Sequence, residues 1–185
     1  ATFDGLPTPF RAVATDMETG QPVVMDHGDL AAALRASMSV PGVFSPLEVD
    51  GRILGDGGLV NNLPVDVARR MGADVIIAVN IGTPLAGRET LGSLLGITTQ
   101  MVNILTEQNV QASVALLTPQ DLLLQPSLGT LTSADFDRAP ALVKIGEDYG
   151  RSVQEALKRF AADPPRYAQW RAQRTQQAQA HASRN

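Results

Sequence analysis

The chain has 185 residues and a formal net charge of -4, and 44% of its residues are hydrophobic. This length suits one domain, and the apolar share is sufficient for an aliphatic core. The acidic balance argues against a nucleic-acid partner, and the absence of cysteine excludes disulfides, thiolate catalysis and cysteine-based zinc sites. The compartment stays open, because a chain without thiols suits reducing and oxidising spaces alike. No apolar run in the sequence reaches the length of a bilayer span.

Two strands and a capped helix are predicted at the beginning of the chain. Residues 11–17 and 21–26 read as strands on either side of the turn Glu18-Thr19-Gly20. Asp29 suits the N-cap of a helix over residues 30–38, because its carboxylate can accept hydrogen bonds from the free amides of the first turn.

A hairpin at Asp50-Gly51 is the clearest local signal. Residues 43–49 alternate toward this turn, and residues 52–54 return from it. Asp-Gly between apolar runs is typical of a tight hairpin turn, because both turn positions need positive φ. The sequence therefore predicts two antiparallel strands here.

A glycine-flanked acid, Asp56, follows the hairpin in Gly55-Asp56-Gly57-Gly58. Neighbours without bulk would let another group approach the carboxylate closely, which suits a general base or an orienting acid. The alternative is a turn in which the aspartate caps the backbone, and these four residues alone favour it. A calcium loop is a weaker interpretation, because carboxylates at EF-hand spacing are missing.

The downstream chain predicts further α/β elements. Pro64 suits the first position of a helix over residues 65–71, which Gly72 ends, and residues 74–80 form an apolar run typical of a buried parallel strand. The remaining predicted elements are a loop with weak helix over 87–96, a helix over 97–117, a short strand over 122–125 and a long amphipathic helix over 139–160. The predicted fold class is α/β, with a mainly parallel sheet flanked by helices.

A boundary is predicted where Asp163-Pro164-Pro165 interrupts the pattern. Residues 1–162 are interpreted as one domain, and residues 163–185 as a helical tail or linker. The tail is rich in Gln, Ala and Arg. Its aromatic and basic side chains would suit contact with an anionic membrane surface, although a solvated linker helix is the interpretation favoured by the sequence. These side chains are Arg166, Tyr167, Trp170, Arg171 and Arg174.

Several ordered motifs resemble the patatin-like phospholipase family, in particular its bacterial branch related to neuropathy target esterase. The motifs are ASMSVPGVFSP over 36–46, Asp50-Gly51, and GDGGLVNNLPV over 55–65. The resemblance covers roughly the first 85 residues well and the later helices loosely. It implies the C-terminal half of a patatin-like α/β domain, with the hairpin just before the catalytic aspartate loop.

The resemblance implies a Ser–Asp dyad without metal or organic cofactor. A serine in a Gly-x-Ser-x-Gly turn attacks an ester carbonyl in that family, and an aspartate in an Asp-Gly-Gly loop activates it; Asp56 matches that aspartate. Neither His27 nor His181 is expected to take part. The residues expected to shape the loop are Gly55, Gly57, Gly58, Asn61 and Asn62, and those expected at the active-site wall are Ser37, Ser39 and Pro41.

The sequence departs from the family pattern because it has no Gly-x-Ser-x-Gly. Ser93 in Gly92-Ser93-Leu94-Leu95-Gly96 has the wrong spacing, and the glycine-rich oxyanion loop is also missing. Both are expected in an N-terminal half that would precede Ala1. The chain by itself is therefore expected to be inactive, either as one piece of a nicked enzyme, which is favoured, or as a non-catalytic fragment or interaction module.

The complete protein is expected to hydrolyse lipid acyl esters as a phospholipase A or lysophospholipase. Its expected partners are its own N-terminal half and phospholipid or lysophospholipid at a membrane surface, with a homodimer left open and no nucleic acid. Two compartments stay open as well: the bacterial cytoplasm at the inner membrane, or secretion as the passenger of an outer-membrane protein.

Overall fold

A computed structural model describes residues 2–82, 85, 87–129, 131–132 and 135–182, and the fold is mixed α/β. None of the helices in these ranges is long and apolar enough to cross a membrane. The strands are β1 (Ala12–Asp16), β2 (Pro22–Met25), β3 (Leu47–Val49), β4 (Arg52–Asp56), β5 (Ile77–Val79) and β6 (Leu122–Leu124). The helices are α1 (Leu30–Ser37), α2 (Gly58–Asn61), α3 (Val65–Arg70), α4 (Leu94–Val114), α5 (Ala139–Ser152), α6 (Gln154–Lys158) and α7 (Pro164–Ala182).

Four of the described strands form an antiparallel sheet in the order β2-β1-β4-β3. The predicted hairpin is confirmed: β3 pairs with β4, and Asp50 and Gly51 both have positive φ, at 51° and 73°. Strand β1 is buried along its whole length and pairs with β4, so that Ala14 faces Asp56. This register positions the candidate acid on the central pair of strands.

The parallel pairing joins β5 to β6, and the mixed α/β class is confirmed. Parallel pairing was predicted to dominate, but in the described residues it is limited to these two strands. The reason is local: strands that follow one another through tight turns, as at Gly20 and Asp50-Gly51, pair in antiparallel fashion.

Two hydrophobic clusters support these sheets. The first packs α1 against the antiparallel sheet around Phe3, Ala12, Ala14, Met25, Ala33, Ala36 and Leu54. The second joins α3, β5 and α4 around Leu63, Val65, Ile76, Ala78 and Val110. As the composition predicts, both are mainly aliphatic.

The helix termini follow the predicted capping chemistry, with several shifted bounds. The Asp29 carboxylate accepts from the amides of Ala31 and Ala32 at 2.8 and 3.4 Å and caps α1, as predicted. Helix α4 begins at Leu94, earlier than predicted, because the Ser93 hydroxyl accepts from the Gly96 amide at 3.0 Å and supplies an N-cap.

Four further features differ from the prediction. Strand β4 continues through Asp56, because the pairing with β1 extends to that residue, and α2 begins at Gly58, where only a loop was predicted. Pro64 stands one position before α3. The predicted helix over 139–160 is interrupted at Val153, where the Ser152 hydroxyl donates to the Tyr149 carbonyl at 2.7 Å and competes with the helical ladder.

The buried carboxylate of Asp121 fastens the second cluster. Its Oδ2 accepts from Arg69 at 2.6 Å and from the Thr118 amide and hydroxyl, and its Oδ1 accepts from the Ile76 amide at 2.8 Å. The side chain has no exposed surface. The Thr118 amide, with further help from Ile76 and Arg69, holds the pKa of Asp121 well below its ordinary value.

We expect Asp121→Asn to lower Tm by several degrees at neutral pH, since the neutral amide cannot satisfy all of these donors. A folded pKa below the unfolded one gives stability above about pH 4 that is lost as the pH falls toward the folded pKa. The Tm difference between wild type and variant should therefore shrink in acid. Asp135→Asn is the matched control. Asp135 also accepts from a threonine amide and hydroxyl, those of Thr132 at 2.7 and 2.8 Å, but at an exposed position. Equal losses of Tm in the two variants would contradict this account.

Candidate active site

Asp56 lies at the C-terminal end of β4, fixed by backbone contacts on two sides. Its amide donates to the Ser39 carbonyl at 3.0 Å, and its carbonyl accepts from the Thr15 hydroxyl at 2.6 Å. The first bond ties it to the loop after α1, and the second ties it to β1. These two hydrogen bonds therefore fix the main chain of Asp56 independently of its side chain.

The Asp56 carboxylate is partly buried and has one oxygen engaged. The Gly58 amide donates to Oδ1 at 2.6 Å, and none of the described residues donates to Oδ2. Burial raises the pKa of Asp56, although the bond from Gly58 opposes that rise. A carboxylate with one oxygen anchored and raised proton affinity can accept a proton through the other oxygen.

The glycines around Asp56 differ in how strictly the structure requires them. A Cβ at Gly57 would lie 2.0 Å from the Val13 carbonyl oxygen, and one at Gly58 would lie 2.7 Å from Asp56 Oδ1. A Cβ at Gly55 would meet the Met17 sulfur at 2.6 Å, at the flexible end of a side chain that is 43% exposed. Gly57 is thus required by a backbone contact, whereas Gly55 faces a neighbour that can move.

Asp56 opens into a cleft of about 230 Å³, and Val110 of the second cluster is among the residues that line it. One wall follows α1, a second comes from α2, a third follows β5, and the fourth is one face of α4. The lining residues are Val40, Pro41, Asp56, Gly58, Leu59, Asn62, Ile81, Gly82, Val102, Asn103, Thr106, Glu107 and Val110. The surroundings of the acid are partly apolar, which suits a lipid-like group better than a polyanion.

The three predicted wall residues lie next to Asp56 in different ways. Pro41 lines the cleft directly. The Ser37 hydroxyl donates to the Val13 carbonyl at 2.6 Å, and the Ser39 hydroxyl donates to the Arg35 carbonyl at 2.8 Å. Both hydroxyls are therefore engaged with backbone, and neither donates to Asp56.

The predicted asparagines connect the loop to its neighbours. Asn61 donates to Asp66 at 2.8 Å, while its own Oδ1 is buried without a donor among the described residues. The amide of Asn62 donates to the side chain of Asn109 at 2.8 Å, and Asn62 itself lines the cleft. Asn61 thus contacts the helix after the loop, and Asn62 contacts both α4 and the cleft.

Asn109 of α4 was not recognised from the sequence. Its side-chain amide accepts from the Asn62 amide and donates to the Gly58 carbonyl, both at 2.8 Å. It therefore contacts both ends of α2, the helix that follows Asp56. A lone asparagine on a helix matches no motif. The sequence shows only that a polar residue directly precedes the apolar Val110.

Neither histidine can be placed at this cleft. His27 is exposed, its Nδ1 lies 2.5 Å from Asp26 Oδ1, and it borders a different cavity between β2, α1 and the β3–β4 hairpin. The side chain of His181 lies outside the described residues. Within the described part of the chain, no group of three His, Asp or Glu side chains is arranged to hold a metal ion.

The protein has an α/β fold in which the end of a strand presents a glycine-flanked carboxylate to a partly apolar cleft. Residues 3–69, which include Asp56, match the family model described as patatin-like phospholipase. The chain is 48% identical over 85 residues to an NTE family protein of Mycobacterium tuberculosis, an alignment that covers 46% of this chain and 24% of that relative. It is 31% identical over 169 residues to mouse patatin-like phospholipase domain-containing protein 7, covering 78% of this chain and 12% of the relative.

The chain belongs to the patatin-like phospholipase family and carries part of its domain. The resemblance stated from the motifs is thereby confirmed, including its relation to the NTE branch. The chain spans about a quarter of the mycobacterial relative and about an eighth of the mouse relative. The activity and partners of the whole protein are accordingly matters of proposal.

We expect Gly57→Ala to lower the free energy of unfolding by roughly 1–3 kcal/mol, because the new methyl group collides with a backbone carbonyl. Gly55→Ala is the matched control and should cost less than about 1 kcal/mol, since the Met17 side chain can turn away. Urea denaturation of both variants measures the difference. Equal stability of the two would show that the close contact at Val13 does not constrain the loop.

We expect Asn109→Ala to speed hydrogen exchange of the Asn62 amide by roughly fivefold, because the variant removes a hydrogen bond worth about 1 kcal/mol. Asn103→Ala is the control, since it removes the same kind of side chain from the same helix, at a position that lines the cleft. NMR-detected exchange on the two variants separates the effects. Unchanged protection of Asn62 in Asn109→Ala would exclude the clamp.

Proposed function

We propose that this chain supplies the acid of a lipid acyl hydrolase that works through a Ser–Asp dyad. Asp56 is the proposed general base, and the nucleophilic serine belongs to an N-terminal half of the same protein, in a Gly-x-Ser-x-Gly turn beside the oxyanion loop. The observation that carries the proposal is the Asp56 carboxylate at the cleft, with Oδ1 anchored by Gly58 and Oδ2 without a donor among the described residues.

The proposed chemistry uses both features of this carboxylate. Asp56 Oδ2 accepts the proton of the serine hydroxyl while the serine oxygen attacks the ester carbonyl. The ester C–O bond then breaks, the leaving oxygen takes the proton back from Asp56, and an acyl-serine remains. Water, which gives its proton to Asp56 in the same way, hydrolyses the acyl-serine and regenerates the serine. A carboxylate with an ordinary pKa near 4 is a weak base for an alcohol. Burial, which raises the pKa of Asp56, makes the proton transfer more favourable, and the anchored Oδ1 keeps the acid in place.

The substrate class follows from the family and from the cleft. The mouse relative is named a phospholipase domain-containing protein, and the lining here includes Val40, Leu59 and Val110. We therefore propose phospholipase A or lysophospholipase activity at a membrane surface, without a cofactor. Because nucleophile and oxyanion donors are assigned to the other half, the 185-residue chain by itself should not hydrolyse esters.

A non-catalytic module is the alternative, and one observation favours it. The bond from the Gly58 amide to Asp56 Oδ1 spans two residues, which is the geometry of an aspartate that caps its own turn. If Asp56 only capped this turn, an asparagine at position 56 would form the same hydrogen bond equally well. The two functions are therefore separated by a substitution that keeps the turn and removes the base.

We expect Asp56→Asn in the full-length protein to reduce hydrolysis of a short-chain ester by roughly 10²–10⁴-fold, because the amide is no longer a base. Its Tm should be close to that of wild type, since the amide oxygen can still accept from Gly58. Asp66→Asn is the matched control: Asp66, in α3, accepts from Asn61 of the preceding helix but does not line the cleft. Full activity in Asp56→Asn would show that Asp56 is a turn residue and not the base of a dyad.

Labelling of the full-length protein with a fluorophosphonate, followed by peptide mass analysis, tests the position of the nucleophile. Label on a serine outside these 185 residues is the expected result. Label on a serine of this chain would overturn the assignment of the nucleophile to the other half.

A further inference from the structure

The charge of the chain is divided very unevenly. All nineteen acidic residues lie in residues 1–163, together with eleven of the fifteen basic residues. Residues 164–185 contain arginines and no acid. Within the described part of this segment, α7 carries Arg166, Arg171 and Arg174. The last helix is therefore a positively charged element on an otherwise acidic chain.

Helix α7 begins as an independent helix rather than by packing on the body. The Asp163 carboxylate accepts from the Arg166 amide at 2.8 Å and caps the first turn, and Pro164 occupies the first helical position. Every described side chain from residue 164 to 176 is exposed. The helix is thus free to present its surface to a partner.

One face of α7 gathers the aromatic and basic side chains. Tyr167 and Trp170 stack with ring centroids 5.7 Å apart; Arg174 lies 5.1 Å from the Trp170 ring, and Arg171 lies 6.0 Å from the Tyr167 ring. These four residues are the aromatic-basic face. Helical periodicity places the glutamines on the opposite side, namely Gln169, Gln173 and Gln176.

We propose that the aromatic-basic face of α7 docks the protein on an anionic phospholipid surface. Tyr and Trp prefer the headgroup region because one end of each ring system is apolar and the other is polar, and arginines beside them reach lipid phosphates. An anionic surface would attract the arginines of α7 and repel the acidic residues 1–163. Charge complementarity therefore favours an anionic surface that is contacted through α7. Tyr167 and Trp170 are 50% and 47% exposed, so both rings can reach the headgroup region.

The chain's single tryptophan makes the test specific, since Trp170 lies on the proposed face. The 185-residue chain is mixed with vesicles of phosphatidylcholine alone or of equimolar phosphatidylcholine and phosphatidylglycerol. We expect sedimentation and a blue shift of tryptophan emission with the anionic vesicles, both lost in high salt. Equal binding to both vesicle types, or no blue shift on sedimentation, would overturn the proposal.

Variants identify which side chains are responsible. Arg171→Gln with Arg174→Gln should weaken partitioning to the anionic vesicles by about tenfold or more. Tyr167→Ala should also weaken it while leaving the Trp170 signal available. Lys144→Gln with Arg151→Gln is the matched control: it removes the same charge from α5, where both cations pair with acids. Loss of binding in the control alone would contradict docking through α7.

Two further outcomes are informative. Displacement of the chain from anionic vesicles by single-stranded RNA at equal phosphate concentration would point to a nucleic-acid surface and overturn the lipid assignment. The choice of a lipid partner rests on the proposed function, but vesicle binding requires no hydrolysis. An active Asp56→Asn variant together with vesicle binding would reject only the dyad, whereas a dyad-dependent esterase without vesicle binding would reject only the docking face.

Discussion

The close approach of Gly57 to the Val13 carbonyl is the constraint on which the position of Asp56 depends. A Cβ at residue 57 would lie 2.0 Å from that oxygen, so only a backbone without a side chain can pass there. The same oxygen accepts from the Ser37 hydroxyl at 2.6 Å, which brings the end of α1 to the same point of β1. One carbonyl of a buried strand therefore sets the spacing of strand, helix and acidic loop. Asp56 is held by its backbone, and its side chain remains available to whatever enters the cleft.

Asp56 also lies where the two hydrophobic clusters meet. Leu54 in β4 belongs to the first cluster, and Leu63 just after α2 belongs to the second. The covalent link between them is the Asp56 loop with α2, and Asn109 adds a link through two hydrogen bonds of 2.8 Å from α4. Because the cleft is walled by α2, by α4 and by the segments after α1 and β5, its width depends on how these elements pack. The geometry of the candidate site is consequently a property of the tertiary structure and not of the Asp-Gly-Gly loop alone.

This distinction explains how far sequence reasoning reaches. The hairpin and the Asp29 cap are local, since their chemistry lies within a few residues, and both were predicted. Asn109 acts on Gly58 across 51 positions, and neither residue carries a signal of the other. The apolar run over 74–80 predicted a strand buried on both faces, yet Ile77 and Val79 are 45% and 52% exposed, because burial of a strand depends on the neighbours that pack against it. A sequence pattern indicates that a segment tends to be buried, whereas the elements that pack against it determine whether it is.

The exposed apolar surface near the cleft bears on the proposed division of the active site. Isolated domains rarely leave large apolar patches uncovered, and here Ile77 and Val79 of β5 are half exposed while Asn61 Oδ1 is buried without a donor among the described residues. The cleft is bordered by Ile81 and Gly82, which follow β5. A segment that brought a serine hydroxyl to Asp56 from this side of the cleft would lie against the end of this strand. The same segment can cover the exposed side chains of β5, so a serine supplied from another part of the protein accounts for the open site and for the apolar surface together.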